Sequence, residues 1–471
     1  MKKVVMLTNV LPEKPGGRTK DIYKKAKLFS ENGYKVKILS CSEMYQIENS
    51  LSNAISLSEH DPSNTVYQIY SDLRKEDSKK YRKNIKKFIP FFIKIKEEKS
   101  VTDGRVISNT FSNKYFTIKY DYCDEGRVIR KVVNKNNKKT TQVIFDKYYN
   151  KDGTVFLNKL CSVGEPLIIY NNGRYKSKRF KSVSQLKAFW LNEQFKGYSN
   201  IIASARKLDG IYLEAIKKDV NRERNYFFWY HSTHLDVSGI MRKEYDKSLH
   251  SHQENIKYLT LTNQQKNDIV TSYDISPDNI LVLPFGKVGS IETNEDAMNV
   301  VSIVSRFSPE KNIDFAIRAF DRFYKTNDNF TLEIWGHGEN ERDYNKLIES
   351  LGAHDYIKIK GPTNKPLSVM AKSKVILSTS KIGGLENTII EAISVGCPVA
   401  ALPYRYGPKD IITPGISGYI SDDFTEDGFV NVLTKCVKIL DEYTREDVSN
   451  TLRSTDEKRK LEMKQWELNL K

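Results

Sequence analysis

Three groups of residues in this chain have the types and spacing that could do chemistry. The stretch Ser378–Asp410 holds the first, reading STSKIGGLENTIIEAISVGCPVAALPYRYGPKD. Its Gly383-Gly384 pair runs into Leu385-Glu386-Asn387-Thr388, then into an apolar helical pattern at Ile389, Ile390, Ala392, Ile393 and Val395. A helix start carries unbonded N–H groups and a partial positive charge, which suits a phosphate. The glycines leave room for a ligand to approach the backbone, and Glu391 lies one turn into the helix. The second group is a pair of cations, Arg306 and Lys311, in the segment that follows the apolar run Val300–Val304. Arg offers a planar fork and Lys a point charge, so together they could hold a diphosphate; surface charges on a loop are the other reading. The third is His231, at the end of the apolar run Tyr226–Tyr230, with His234 close enough to compete for its role.

These residues need strands to carry them. The spacing predicts strands at Val300–Val304, Thr331–Trp335, Ile357–Lys360 and Val375–Ser378, a helix at Ile313–Tyr324, and an apolar run Val399–Leu402 as a further buried strand. The strands end in loops carrying Arg306 and Lys311, then Gly336-His337-Gly338, then Gly361-Pro362-Thr363, then the Gly383-Gly384 helix start. In open α/β sheets ligands gather at the carboxyl ends of strands, so this convergence outweighs any one of its members. Near the N-terminus Val4–Leu7, Asp21–Asn32 and Tyr34–Leu39 read as a βαβ unit. The pair Gly16-Gly17 lies in its first loop, where an ordinary tight turn is the alternative. Tyr258–Thr262 and Ile280–Leu283 read as two more strands, with Pro284-Phe285-Gly286 as a hinge.

Between these α/β segments the texture changes. Ser78–Lys99 is strongly basic and carries Phe88, Ile89, Phe91, Phe92 and Ile93; it reads as a helix with one packed face, or as an amphipathic membrane-surface element. From Lys114 to Phe180, alternating apolar runs are separated by Asp152-Gly153 and Asn172-Gly173, which predicts an antiparallel meander. Ser184–Glu193 reads as a helix, and so does the charged end Asp441–Lys471, with Trp466 and Leu468 as anchors.

The whole composition sets bounds. A chain of 471 residues fits two or three domains, and 39% hydrophobic residues with 27 Tyr and 21 Phe exclude a disordered chain. The formal charge of +17 calls for an anionic partner: nucleic acid, membrane surface, sugar nucleotide and phosphate polymer all qualify. Five scattered Cys (Cys41, Cys123, Cys161, Cys397, Cys436) with no C-x-x-C pair point to a reducing compartment and away from structural zinc. The run Val4–Leu7 is too short for a signal peptide, and no stretch approaches the roughly 18 apolar residues that span a bilayer. A cytoplasmic protein is expected, with peripheral contact at the inner face of the membrane as an option for its basic charge.

VSRFSPEKNID, EIWGHGEN and the Gly-Gly-to-Glu391 helix start, in this order and spacing, resemble the C-terminal half of the retaining glycosyltransferase family 4, of GT-B architecture. Gly16-Gly17 and His231 fall where that family has its N-terminal site elements. Tyr406-Gly407-Pro408 and the β-rich insertion resemble the bacterial subgroup that glycosylates wall teichoic acids or serine-rich surface proteins.

The resemblance implies an α/β fold of two Rossmann-like doubly wound domains facing across a cleft, with an antiparallel β-rich insertion in the N-terminal one. The segments become 1–70 and 191–285 for the N-terminal domain, 71–190 for the insertion, 286–445 for the nucleotide-sugar domain, and 446–471 for a helix crossing back. By the same resemblance Arg306 and Lys311 bind the donor diphosphate and stabilise the leaving group. Amides of Leu385, Glu386, Asn387 and Thr388 add the helix-end contribution, and Glu391 accepts from the ribose. Backbone at Gly361, Pro362 and Thr363 reads the base beside the Gly336 loop, and His231 contacts the transferred sugar. Gly16, Gly17, Gly383 and Gly384 allow close approach. No cofactor or metal is implied, and the sequence has no Asp-x-Asp site in a suitable place.

One departure stands out. The family has two Glu separated by seven residues, and counting back from Glu391 reaches Gly383. Glu386 or another residue substitutes, the donor preference differs, or the chain is a weakly catalytic partner subunit. The leading expectation is a UDP-sugar-dependent retaining transferase acting on a polyol-phosphate polymer, with the insertion serving the acceptor or a homo-oligomer and no nucleic acid partner. The alternatives are a Ser/Thr O-glycosyltransferase of a surface protein and a non-catalytic binding subunit.

Overall fold

The computed structural model describes residues 2–8, 17–41, 65–68, 93–99, 104–122, 126–136, 141–150, 154–161, 167–172, 175–221, 223–251, 255–283 and 298–452. The chain separates into two compact units, Met1–Tyr226 and Phe227–Lys471.

In the first unit the apolar run of β1 (Lys3–Thr8) pairs in parallel with β2 (Lys35–Ser40) on one side and β12 (Asn200–Ala203) on the other, and β2 pairs in parallel with β3 (Thr65–Gln68). Val4–Leu7 and Ile201–Ala203 are fully buried, as expected of strands covered on both faces. The connection from β1 to β2 is a helix, Gly17–Glu31, which starts earlier than its spacing suggested and stops at Gly33. Gly33 takes the left-handed conformation (φ 78°), which lets Tyr34 N–H reach back to Phe29 O at 3.0 Å.

The insertion is an eight-stranded antiparallel sheet in simple meander order. Its strands are β4 (Ile93–Lys99), β5 (Val106–Ser112), β6 (Phe116–Tyr122), β7 (Val128–Asn136), β8 (Thr141–Tyr149), β9 (Val155–Leu160), β10 (Leu167–Asn172) and β11 (Tyr175–Phe180). The expected meander from Lys114 to Phe180 is present and begins two strands earlier. The expected helix over Ser78–Lys99 is corrected at its end: Ile93–Lys99 is a strand paired with β5. The segment IKIKEEK alternates with the period of a strand, a signal that the preceding basic residues obscured. Residues 78–92 lie outside the described set. A buried polar cluster ties three of these strands: Arg130 donates to both oxygens of Asp146 (2.8 and 2.9 Å), Tyr148 Oη donates to Asp146 (3.1 Å), and Lys159 Nζ donates to Tyr148 Oη (3.0 Å).

The second unit contains β13 (Asn225–Trp229, begun at the unit boundary), β14 (Ile256–Thr260) and β15 (Ile280–Val282), of which β14 and β15 pair in parallel. Their order in the sheet is β15-β14-β13. The hinge expected at Pro284–Gly286 lies outside the described residues. A separate six-stranded sheet follows, with β16 (Val300–Val304), β17 (Thr331–Trp335), β18 (Ile357–Gly361), β19 (Val375–Ser378), β20 (Val399–Ala401) and β21 (Gly418–Ile420). Its order is β18-β17-β16-β19-β20-β21 and its pairs are parallel. The order reverses between β16 and β19, so the loops leaving these two strands diverge and open a crevice at the carboxyl edge. Helix Ile313–Tyr324 covers one face with Ile313, Ala316, Ile317, Phe320 and Phe323. The C-terminal helix is interrupted at Tyr443-Thr444, and Thr444 and Asp447 cap a new helical start (2.6 and 3.1 Å). Trp466 and Leu468 lie outside the described residues. No helix among the described residues is long and apolar enough to cross a membrane.

Candidate active site

The crevice between β16 and β19 is where the predicted residues gather. The loop after β16 ends in a short turn, Pro309–Lys311, closed by Asn312 in the left-handed conformation (φ 55°) before helix Ile313–Tyr324 begins. The loop after β19 is laced to it: Thr379 Oγ1 donates to Lys311 O (3.1 Å), and Lys381 N–H donates to Glu310 O (2.8 Å). Both bonds hold Lys311 at the switch point. Its ammonium reaches Glu386 Oε1 and Oε2 (2.5 and 3.1 Å) and Ser380 Oγ (3.4 Å). Arg306 behaves differently. Its side chain is 76% exposed and touches Glu310 at 3.4 Å, so of the two expected cations one is placed inward and the other reaches from the rim.

Glu386 is the N-cap of helix Asn387–Ser394, yet its side chain makes no bond to its own helix. The carboxylate is turned to Lys311 instead, leaving the helix start without a side-chain cap. Glu391 is half-buried on the same helix, Leu385 packs against the core, Asn387 is exposed and Thr388 half-buried.

The two glycines before the helix meet protein rather than open space on the sides their Cβ atoms would take. A Cβ at Gly384 would lie 3.0 Å from His231 O and 3.1 Å from Ser232 Cα. A Cβ at Gly383 would lie 3.1 Å from the Tyr404 ring and 3.5 Å from Glu386 Oε1. Gly383 also exchanges two backbone bonds with the loop after β20: Gly383 N–H to Arg405 O (2.9 Å) and Tyr406 N–H to Gly383 O (3.0 Å). The close-approach reading of these glycines is therefore satisfied in part by the chain's own backbone. His231 is thereby brought beside the helix-start loop. It is half-buried, its ring beside Trp229 (centroids 5.6 Å apart), and Ser232 O is held by Gln265 Nε2 (3.0 Å) and Tyr245 Oη (3.3 Å).

His234 is separated from that role. It is fully buried, stacked on Tyr406 (centroids 6.0 Å, planes 11° apart) and edge-on to Tyr245 and Tyr273. Neither ring nitrogen finds a hydrogen-bond partner among the described residues, and burial pushes its pKa down to about 4. Tyr404 and Tyr406 were not singled out as chemical residues from the sequence. Tyr404 shares a 2.7 Å hydrogen bond with Ser378 Oγ, and burial, with the nearby Glu386 charge, holds its hydroxyl protonated. Tyr406 donates to Asp268. The local signal was the alternation in Leu402–Gly407, which does not say what the rings meet.

Gly336, Gly361, Pro362 and Thr363 lie at the carboxyl ends of β17 and β18. Gly336 (φ 152°) lies so close to the β16 loop that a Cβ would fall 1.8 Å from Ser305 O, and its N–H donates to Gly361 O at 2.9 Å. Pro362 is exposed, and Thr363 Oγ1 accepts from Lys365 N–H (3.0 Å). Gly17 opens helix Gly17–Glu31 of the first unit, and Gly16 lies outside the described residues. In all, an ammonium, an uncapped helix start and a buried carboxylate converge at one switch point, an arrangement suited to a phosphorylated ligand.

Residues 290–453 match the family Glycosyl transferases group 1. Over this segment the chain is similar to group 1 glycosyltransferases. Around it, 451 residues of the chain are 22% identical to the Poly(ribitol-phosphate) alpha-N-acetylglucosaminyltransferase of Staphylococcus aureus, covering 90% of each protein. The UDP-N-acetylglucosamine–peptide N-acetylglucosaminyltransferase GtfA subunit of Streptococcus gordonii is 22% identical over 357 residues, 73% of this chain and 68% of that one. A crystal structure of a S. aureus TarM mutant with Fondaparinux, alpha-GlcNAc-glycerol and UDP matches with a TM-score of 0.76 at 19% identity, covering 100% of this chain and 99% of the other. The fold is GT-B, and the segment similar to group 1 glycosyltransferases carries Arg306, Lys311, Glu386 and Glu391.

Proposed function

We propose that the protein is a retaining glycosyltransferase that moves a hexose or N-acetylhexosamine from a UDP-sugar to a polyol-phosphate polymer, poly(ribitol phosphate) or poly(glycerol phosphate). The observation that carries this reading is the seating of Lys311 against the helix start Glu386-Asn387 at the sheet's switch point. A diphosphate there meets the ammonium, the helix-start amides and the fork of Arg306 at the rim. These groups stabilise the negative charge that grows on the leaving UDP as the glycosidic bond breaks. In this reading His231, beside the same loop, contacts the transferred sugar, and Glu391 accepts from the ribose. The donor phosphate takes the acceptor's proton, and no metal is called for.

The likeness to the poly(ribitol-phosphate) enzyme over 90% of both chains supports the polymer acceptor, as does the charge of +17. The antiparallel insertion offers a surface for an extended acceptor or for a homo-oligomer, and the reaction is assigned to the cytoplasm at the inner membrane face. A second reading, transfer to Ser/Thr of a surface protein, is favoured by the likeness to the GtfA subunit over 73% of this chain. Purified protein supplied with UDP-glucose or UDP-N-acetylglucosamine should release UDP when poly(ribitol phosphate) or poly(glycerol phosphate) is added. Turnover with a serine-rich peptide alone selects the second reading, and no turnover with any pair rejects both.

A further inference from the structure

The side of Gly383 that a Cβ would take is lined by the Tyr404 ring, Glu386 Oε1 and Tyr406 O. A Cβ built on Gly383 would lie 3.1 Å from the Tyr404 ring and 3.5 Å from Glu386 Oε1. A side chain grown from position 383 would therefore begin in van der Waals contact with the Glu386 carboxylate. Glu386 arrives there from the helix start with φ −78° and ψ 101°, and only 9% of the residue is exposed. It forgoes the amides of its own helix, which an N-cap side chain ordinarily bonds, and turns both oxygens to Lys311 (2.5 and 3.1 Å).

The chemistry of this pair is exchangeable. Lys311 is a three-proton donor, and a donor diphosphate presents an equivalent anion to the same ammonium. A carboxylate released from Lys311 is an acceptor with no protons of its own, buried, and needs new donors. The hydroxyls of a sugar joined to that diphosphate can supply them. A free nucleoside diphosphate cannot.

We propose that Glu386 is the donor-positioning carboxylate of this site, reaching from the helix start into the space that a side chain at position 383 would fill, and passing Lys311 to the diphosphate as the sugar's hydroxyls take its place. The proposal rests on the reading of the crevice as a nucleotide-sugar site. It predicts discrimination at the level of binding, before any chemistry. UDP alone takes Lys311 and strands the carboxylate, whereas a UDP-sugar satisfies both.

The test is calorimetric titration of the full chain with UDP, UDP-glucose and UDP-N-acetylglucosamine, with melting temperatures recorded for every variant. Wild type should bind one of the UDP-sugars about tenfold or more tighter than UDP. In Glu386→Gln, UDP binding should hold or tighten as Lys311 is freed, UDP-sugar binding should weaken, and the ratio should fall toward one. The exchanged variant Gly383→Glu/Glu386→Gln returns a carboxylate to the same volume and should recover part of the ratio. An unchanged ratio in Glu386→Gln overturns the proposal, as does an exchanged variant that folds and discriminates no better than the single one. Wild type that binds neither UDP nor a UDP-sugar overturns the nucleotide-sugar reading itself.

Discussion

Tyr406 Oη donates to Asp268 Oδ2 at 2.8 Å, joining two residues 138 positions apart. Arg405 lies 3.1 Å from the same oxygen, and the Tyr406 ring stacks on His234. The bond therefore anchors the loop after β20 to helix Asn263–Ser272, and through the Gly383 backbone exchange it steadies the helix-start loop as well. Tyr406→Phe leaves Asp268 its Arg405 partner and should cost about 1 kcal/mol, a fall of a few degrees in Tm. Tyr406→Ala also removes a fully buried ring and should cost about 3–5 kcal/mol. Thermal melts of the two variants measure the difference.

His234 makes stability depend on pH. Burial pushes its pKa down to about 4 from an ordinary 6.5, with Asp268 opposing that shift and Arg405 adding to it. Between these values the unfolded chain binds a proton that the folded chain refuses. Its contribution is thus complete above pH 6.5 and is lost as pH falls toward about 4, up to roughly 3 kcal/mol. Denaturant melts across this window should show a shallower pH dependence in His234→Phe, which keeps the ring stack. An identical slope in the two proteins counts against the assignment.

Lys311→Ala should lower kcat about 10²–10³-fold, the usual loss when a preorganised charge is removed. It should also destabilise the fold, because Glu386 is left buried without its counter-charge. Lys311→Ala/Glu386→Gln should regain most of the stability and none of the activity. Comparing melts and rates for the single and double variants separates the two effects.

Glycine substitutions should sort by what the added carbon meets. At Gly336 it would fall 1.8 Å from Ser305 O, in a backbone region that side chains rarely adopt, so Gly336→Ala should cost at least about 3 kcal/mol. At Gly384 the nearest atoms stand 3.0 and 3.1 Å away, so Gly384→Ala should fold, with a loss of about 1 kcal/mol, and lose turnover as the helix start moves off His231. Melting curves and kcat/KM for the pair test this ordering.

In the insertion, Asp146 is the shared acceptor of Arg130, Lys159 and Tyr148. Asp146→Ala takes the counter-charge from buried Lys159 and leaves half-buried Arg130 only Asp121 at 3.7 Å, and should cost about 3 kcal/mol. Limited proteolysis should then cut within Ile93–Phe180 first.

Much of the secondary structure was legible because its causes are local. Val300–Val304, Ile313–Tyr324, Thr331–Trp335 and Val375–Ser378 have the bounds their apolar periods predict. The hairpin sheet was legible from its turn residues and alternation. At Ile93–Lys99 the alternation was present, but it was masked by the helical reading of the basic residues before it. Of the site, the order of loops at the strand ends could be read directly, since residue types and spacing set which loop carries a cation and which a helix start.

The pairings could not be read. Lys311 meets Glu386 across 75 positions, and Gly384 meets His231 from another sheet. Those contacts depend on the strand order that puts β16 beside β19, and on which way each side chain leaves its loop. The family resemblance marked position 383 as lacking a carboxylate, and the sequence put Glu386 three residues away. Only the tertiary structure decided that the Glu386 carboxylate adjoins Gly383, because a helix start turns its N-cap side chain through space that linear spacing does not measure.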